Sequence, residues 1–599
     1  MFGHNLKSLE GDAPQISPFI TFPSRRSVVH STHGIVACTQ PLAAQAGLKV
    51  LRDGGNAADA AVAVAAVLNV TEPTSTGIGG DAFCLFYSAK EKKVRGINAS
   101  GRAPEKLTLE RARKDLGLDG ASKRRFVDKA GKEPVLRIPM GHIHAVTVPG
   151  AAAGWCDVVE KFGSGNLGMK EVLAEAVRYA EEGFAVSELA ARFWSESLKN
   201  VERASPKTKG EILKGGKRPP RVGEIMKMPL LAKVFRRLAE QGRKGFYEGE
   251  VAEAIVAAVK ERGGVMELED LRKMGEVGAE EVTPIGIEWE GVKVWECAPN
   301  GQGMVALMAL GILEALEKRG VVKTLGGEDK GWGHNQTEYL HAVIEALRIA
   351  FADGHWWISD PDFSKIPIDE LLDKSYLYSR SELFDPARVN PDINHGSPAF
   401  QSTDTVYFSV TDSEGNGCSF INSIFGGFGS GVVPKDCGFV LQNRGGGFSL
   451  SEGHPNVLAP GKRPYHTIIP GMVTDIEGKK LKAVFGNMGG FMQPQGHVQL
   501  MLNGLRCGMD PQRMVDAPRI LIGASYDPEV LVVHLEEGID EETVRGLREK
   551  GHSIVVAKSY DRAMFGRAQV IAQSWDHEEG MRVWSAGSDC RGDGHAVAY

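Results

Sequence analysis

The stretch Ser402-Thr403-Asp404-Thr405-Val406-Tyr407-Phe408-Ser409-Val410-Thr411-Asp412 decides how the rest of the chain is read. From Thr405 onward it alternates. Val406, Phe408 and Val410 fall on one face and Tyr407, Ser409 and Thr411 on the other, the period of a β-strand. Thr405 therefore opens a strand. A second strand is expected at 417–423 and ends in Ser423, eighteen residues after Thr405. Then come the glycine-rich run Gly426-Gly427-Phe428-Gly429-Ser430-Gly431, the segment Lys462-Arg463-Pro464-Tyr465-His466-Thr467, and Gly489-Gly490 after a strand at 481–485. A threonine at a strand start is ordinary by itself. Its position ahead of this series is what singles it out.

Outward from there, the chain has 599 residues, a formal charge of −6, 42% hydrophobic and 24% charged residues. That is the balance of a soluble globular protein, with no charge excess that would suit nucleic acid. Basic runs such as Lys123-Arg124-Arg125 read as solvated insertions. The eight cysteines are scattered, without metal-ligand spacing, and fit buried free thiols in a reducing compartment better than a disulfide framework. His142-x-His144 lacks a third ligand nearby, so no metal is assigned, and no cofactor is implied. No apolar run is long enough for a membrane span and no leader pattern opens the chain, so a cytoplasmic location is expected.

Upstream of Thr405, Pro41 to Asp53 and Asn56 to Leu68 read as helices separated by Gly54-Gly55. The second is apolar nearly all round and is expected to be buried. Thr76-Gly77-Ile78-Gly79-Gly80-Asp81 leads into a strand at 82–87. A glycine turn before a strand is the reverse of a phosphate loop, so these glycines read as packing. Helical spacing recurs over Pro229–Lys260, Glu338–Phe351 and Gln493–Leu505, and further strands are expected at 405–411 and 438–442. Helices gathered early and strands gathered late suit an α+β body.

Several of these segments, in this order, resemble the γ-glutamyltranspeptidase family: Gly54 to Ala63, Glu72-Pro73, Gly77 to Gly80, Val148-Pro149-Gly150, Gly245-Phe246-Tyr247, Gly263-Gly264 with Asp270-Leu271, Ala350 to Asp353 with Asp360-Pro361, and the series after Thr405. The resemblance runs from about Gly34 to the C-terminus. It implies a four-layer αββα sandwich, the N-terminal-nucleophile hydrolase fold. It also implies self-cleavage between Asp404 and Thr405, giving fragments 1–404 and 405–599 that stay interlocked as a heterodimer, with a higher oligomer left open. In that family the freed threonine is the nucleophile. A free α-amine beside its own hydroxyl takes the hydroxyl proton, so one residue supplies both nucleophile and base. Ser423 stands where the family has a helper threonine and is read as a helper or as a plain strand serine. Gly489 and Gly490 match the pair whose N–H groups form the oxyanion hole.

Departures from the family pattern bear on the substrate. The family's Arg-Glu-x-Ala-Pro motif reads Ser100-Gly101-Arg102-Ala103-Pro104, with the arginine shifted. Phe425 and Gly446 replace the asparagine and aspartate that hold an α-amine. Tyr465, His466 and Thr467 line the expected pocket, His466 either in it or packed beside it. Arg102 and Arg444 are candidate carboxylate partners, or else surface ion-pair partners. Cations without an anion favour an acyl group bearing a carboxylate and no ammonium. The expected activity is amide hydrolysis or acyl transfer on a small molecule, in the manner of oxamate amidohydrolase or the cephalosporin acylases. Glutathione or γ-glutamyl processing is the alternative, and an uncleaved binding protein the alternative of another class.

Overall fold

A computed structural model describes residues 26–118, 136–391, 393, 405–524 and 531–599. Asp404, the residue before the expected cleavage point, lies outside them. Two seven-stranded antiparallel sheets organise the chain. The first has the order His595–Ala598, Ile35–Cys38, Val406–Thr411, Gly417–Ser423, Asp81–Ser88, Lys93–Ala99, Glu280–Val282. The second has the order Val29–Ser31, Met581–Ser588, Ala568–Asp576, Leu481–Asn487, Gly471–Asp475, Val292–Glu296, Ile285–Trp289.

The alternation read from Val406–Thr411 has a physical cause on both faces. Val406, Phe408 and Val410 belong to an apolar cluster with helices Pro41–Arg52, Ala57–Thr71 and Ala151–Phe162. Tyr407 belongs to another cluster, in which Phe83 and Ile421 of the first sheet meet Met472, Val484 and Ile571 of the second. The far face of the second sheet, with Val473, Phe485 and Val570, packs on helices Gly303–Lys318, Thr337–Trp357 and Met492–Met501. All six residues of Val406–Thr411 are buried because the strand has neighbours above and below.

Helix Ala57–Thr71 is buried along its whole length, as its composition requires. Asn56 starts it: its Oδ1 accepts from the N–H groups of Ala58 (2.9 Å) and Asp59 (3.2 Å), and Asp59 returns a bond to Asn56 N–H (3.0 Å).

Several expectations are corrected. Strands are not confined to the C-terminal part, since both sheets take strands from before and after Thr405. Several of those upstream, such as Ile35–Cys38 and Val292–Glu296, are too short to give a strong alternation signal. Residues 438–442 run beside the glycine loops rather than in a sheet, with Leu441 N–H on Val432 and Gln442 N–H on Gly79. The helical stretch 229–260 is three helices, Pro229–Gln241, Lys244–Tyr247 and Gly249–Lys260, the first ending at Gly242. Helix 492–501 continues as a wider π turn, Leu502–Arg506. Among the described residues no helix is long and apolar enough to cross a membrane.

Candidate active site

Strand register sets the site. Val406 pairs with Asn422, so Thr405 continues the ladder opposite Ser423, and Ser423 pairs with Asp81. Thr405, Ser423 and Asp81 thus form a row across three strands, on the face that looks toward the second sheet. All three are fully buried. Thr405 Oγ1 and Ser423 Oγ are hydrogen-bonded at 3.1 Å. Ser423 Oγ also accepts from the Phe425 N–H (2.9 Å) and from Arg444 (3.3 Å).

Arg444 opens a short helical turn, Arg444–Gly447, and is itself fully buried. It donates to Thr467 Oγ1 at 2.7 Å, and its guanidinium lies 4.0 Å over the Phe425 ring. Its Nε–H has no acceptor. Among the described residues no carboxylate lies within ion-pair distance of it. Burial lowers its pKa to about 9, against the opposing field of Asp81. Phe425 sits at φ +76°, a strained conformation for a bulky side chain and one that collects at functional sites.

The hydrogen bonds of His466 go to Asp81 and Ile468 rather than to Arg444. Its Nε2–H donates to Asp81 Oδ2 (2.9 Å), while Nδ1 accepts from the Ile468 N–H (3.3 Å). Burial, and then the charge on Arg444, push its pKa down to about 4 despite Asp81, so the imidazole is neutral. Tyr465 donates to Gln302 Oε1 (3.0 Å). The Gln302 amide in turn donates to the carbonyls of Thr467 (2.7 Å) and Gly490 (2.8 Å). This ties the Tyr465–Thr467 segment to the glycine pair.

Gly489 and Gly490 follow the strand Leu481–Asn487 with φ +120° and +60°, a geometry that favours glycine. Their carbonyls accept from the N–H groups of Met492 (3.0 Å) and Gln493 (3.2 Å). Among the described residues neither of their own N–H groups has an acceptor, as a site for a developing oxyanion requires.

Arg102 takes the other course left open for it. It donates to Asp360 (3.3 Å), Asp362 (2.9 Å) and the Gly461 carbonyl (3.1 Å), and its side chain is 37% exposed. Arg463 clasps the same Asp360 at 2.7 Å. Arg102 is therefore neutralised, and its hydrogen bonds do not reach Thr405, Ser423 or Arg444. His144 binds Asp115 at 2.8 Å. Sequence reasoning missed Asp81, Gln302 and Gln442. The available sign for Asp81 was an acid opening the otherwise apolar run Ala82-Phe83-Cys84-Leu85-Phe86.

The family model described as gamma-glutamyltranspeptidase matches residues 43–599. The chain belongs to the γ-glutamyltranspeptidase family. Within this family it is 36% identical over 579 residues to the glutathione hydrolase-like YwrD proenzyme of Bacillus subtilis, covering 96% of this chain and 99% of that protein. It is 32% identical to the oxamate amidohydrolase proenzyme of Klebsiella pneumoniae, covering 95% and 99%. The crystal structure of cephalosporin acylase from Bacillus halodurans superposes with a TM-score of 0.82 at 37% identity, covering 98% of this chain and 99% of that one.

Proposed function

We propose that this member of the γ-glutamyltranspeptidase family is a self-processing amidohydrolase with Thr405 as nucleophile, acting on acyl groups that carry a carboxylate. The observation that carries the reading is the buried Thr405–Ser423 hydroxyl pair with Arg444 against it, a guanidinium with no carboxylate within ion-pair distance among the described residues. The two sheets packed face to face, with helices on both outer faces, support the four-layer αββα arrangement of an N-terminal-nucleophile hydrolase.

In this reading Thr405 Oγ1 attacks the Asp404 carbonyl. The ester formed is hydrolysed, leaving fragments 1–404 and 405–599 as a heterodimer with a free amine on Thr405. That amine takes the hydroxyl proton as Oγ1 attacks the substrate amide. Ser423 Oγ, which accepts from the Phe425 N–H and from Arg444, is hydrogen-bonded to Thr405 Oγ1 and orients it. The N–H groups of Gly489 and Gly490 stabilise the oxyanion. The amine leaves with the proton, and water or a second amine resolves the acyl-enzyme.

Arg444 sets the acyl preference. A buried guanidinium on neutral hydroxyls matches a substrate carboxylate. The ammonium of a γ-glutamyl group finds no counterpart. A Cβ on Gly446 would meet Met140 Sδ at 2.5 Å, so a side chain there would have to displace the methionine. Asp81 already accepts four hydrogen bonds. The buried free cysteines support a reducing, cytoplasmic setting. A denaturing gel tests the reading: purified protein is expected as two fragments, the smaller beginning at Thr405, and Thr405→Ala as one. A smaller fragment with any other N-terminus refutes the nucleophile, and an uncleaved wild-type chain supports a binding protein instead.

A further inference from the structure

Three glycine-containing segments of the sequence end on one carboxylate. Asp81 closes Gly77-Ile78-Gly79-Gly80-Asp81. Its Oδ1 accepts the N–H of Gly101 (2.8 Å), from Ser100-Gly101, and the N–H of Gly150 (3.2 Å), from Val148-Pro149-Gly150. The Gln442 amide adds a third bond to Oδ1 (2.8 Å), and His466 takes Oδ2 (2.9 Å). A Cβ on Gly101 would lie 1.7 Å from the Val148 carbonyl, and one on Gly150 would lie 2.0 Å from that of Ala99. These glycines are required so that backbone N–H groups reach the acid. The chain thus spends four donors and two obligatory glycines on a side chain that the nucleophile's chemistry does not use.

Its purpose follows from charge. A guanidinium buried on neutral partners is costly unless an opposite charge stands within reach. Direct pairing with a carboxylate would occupy the fork that a substrate needs. The adjacent residues His466 and Thr467 resolve this: the imidazole of one holds Asp81, and the hydroxyl of the other holds Arg444 at 2.7 Å. Asp81 is thereby held by the residue next to the one that holds the guanidinium, without pairing with it directly. We propose that Asp81, acting through His466, is a positioning residue for the Arg444 anion site, supplying the guanidinium's counter-charge from behind without occupying the N–H groups that meet the substrate. This rests on the reading of Arg444 given above.

Among the described residues the other titratable groups around Arg444 are few. His466 is neutral, the Tyr465 hydroxyl is turned to Gln302, and the strand carrying Ser423 contributes only hydroxyls near it. The α-amine of Thr405, freed on cleavage, approaches through Ser423. That amine serves every substrate, so comparing an anionic with a neutral acyl group cancels it. Asp81 holds up a guanidinium that burial has already lowered to about 9.

The test uses mature wild type, Asp81→Asn, Arg444→Gln and the double variant, with glutaryl- and pentanoyl-p-nitroanilide from pH 6 to about 10. In wild type, glutaryl turnover is expected to acquire a basic limb near pH 9 that pentanoyl turnover lacks. In Asp81→Asn that limb moves toward neutral pH. At pH 8 the glutaryl-to-pentanoyl ratio of kcat/KM then falls about tenfold, mostly through KM. In the Arg444→Gln background the same change shifts the ratio less than about twofold. Equal losses on both substrates with an unmoved limb would make Asp81 merely structural and overturn the proposal. Should Asp81→Asn fail to mature, His466→Gln is predicted to shift limb and ratio the same way, and its failure to do so is equally decisive. If wild type turns over neither substrate, it is the Arg444 reading that fails.

Discussion

Replacing Ser423 by alanine removes an oxygen bonded to Thr405 Oγ1 at 3.1 Å, to the Phe425 N–H at 2.9 Å and to Arg444 at 3.3 Å. The bond to the nucleophile is neutral, with a net worth of about 1 kcal/mol, so its loss costs about five- to tenfold in turnover. The bond from Arg444 is charge-assisted, worth about 1.5–3 kcal/mol, and its loss lets the guanidinium swing off the Phe425 ring. Glutaryl-p-nitroanilide should therefore lose about a hundredfold in kcat/KM and pentanoyl-p-nitroanilide only about tenfold. In the proposed mechanism self-cleavage uses the same Oγ1, so it should slow by a similar five- to tenfold factor. Ser423→Thr keeps the oxygen and should retain most activity. The assay is a cleavage time course on a denaturing gel, followed by steady-state kinetics on whatever matures. Normal cleavage and wild-type turnover of both substrates by Ser423→Ala would refute the helper role. Equal loss on both substrates would refute the link to Arg444.

Gly490→Ala, at φ +60°, is expected to lose about a hundredfold or more in kcat with a smaller change in KM, measured on protein verified as cleaved. Glutaryl-p-nitroanilide should be turned over about ten- to a hundredfold more efficiently than γ-glutamyl-p-nitroanilide, and the reverse order would restore the glutathione reading. Acid should destabilise the fold. His466 and His552 are lowered by burial to about 4 and about 3 from an ordinary value of 6.5, so the unfolded chain takes up protons that the native state refuses. Their contribution is fully present above about pH 6.5 and is lost as pH falls toward 4. Melting followed by circular dichroism at pH 7.5 and 5.0 checks this, and an unchanged Tm would count against it.

The meeting of Thr405 and Ser423 was legible because Val406–Thr411 alternates cleanly and the two strands lie close in sequence, so local pattern and motif order agree. Of the strands upstream, the one expected at 82–87 is present as Asp81–Ser88, but the shorter ones were poorly legible. Glu280–Val282 has three residues, and its place at the sheet edge is fixed by tertiary pairing with Lys93–Ala99. Arg102 looked like a free cation because its counter-charges, Asp360 and Asp362, sit far along the chain. Asp81 escaped notice for the converse reason. Its closeness to His466 spans 385 residues, and no local periodicity encodes such a meeting. Gln302 carries no motif at all, and its role emerges only when Gly490 and Thr467 are brought together.

The mixing of strands in the two sheets bears on how the molecule survives heating. Val406–Thr411 lies between Ile35–Cys38 and Gly417–Ser423, and the chain's last strand, His595–Ala598, pairs on the other side of Ile35–Cys38. If the bond before Thr405 is cut as proposed, neither piece retains a complete sheet. A melted precursor needs only to find itself again, whereas a melted mature molecule must find a partner. Recovery then becomes second order in protein and competes with aggregation of exposed strand edges. Maturation would thus act as a ratchet: the cut that arms the threonine also removes the chain's ability to refold alone.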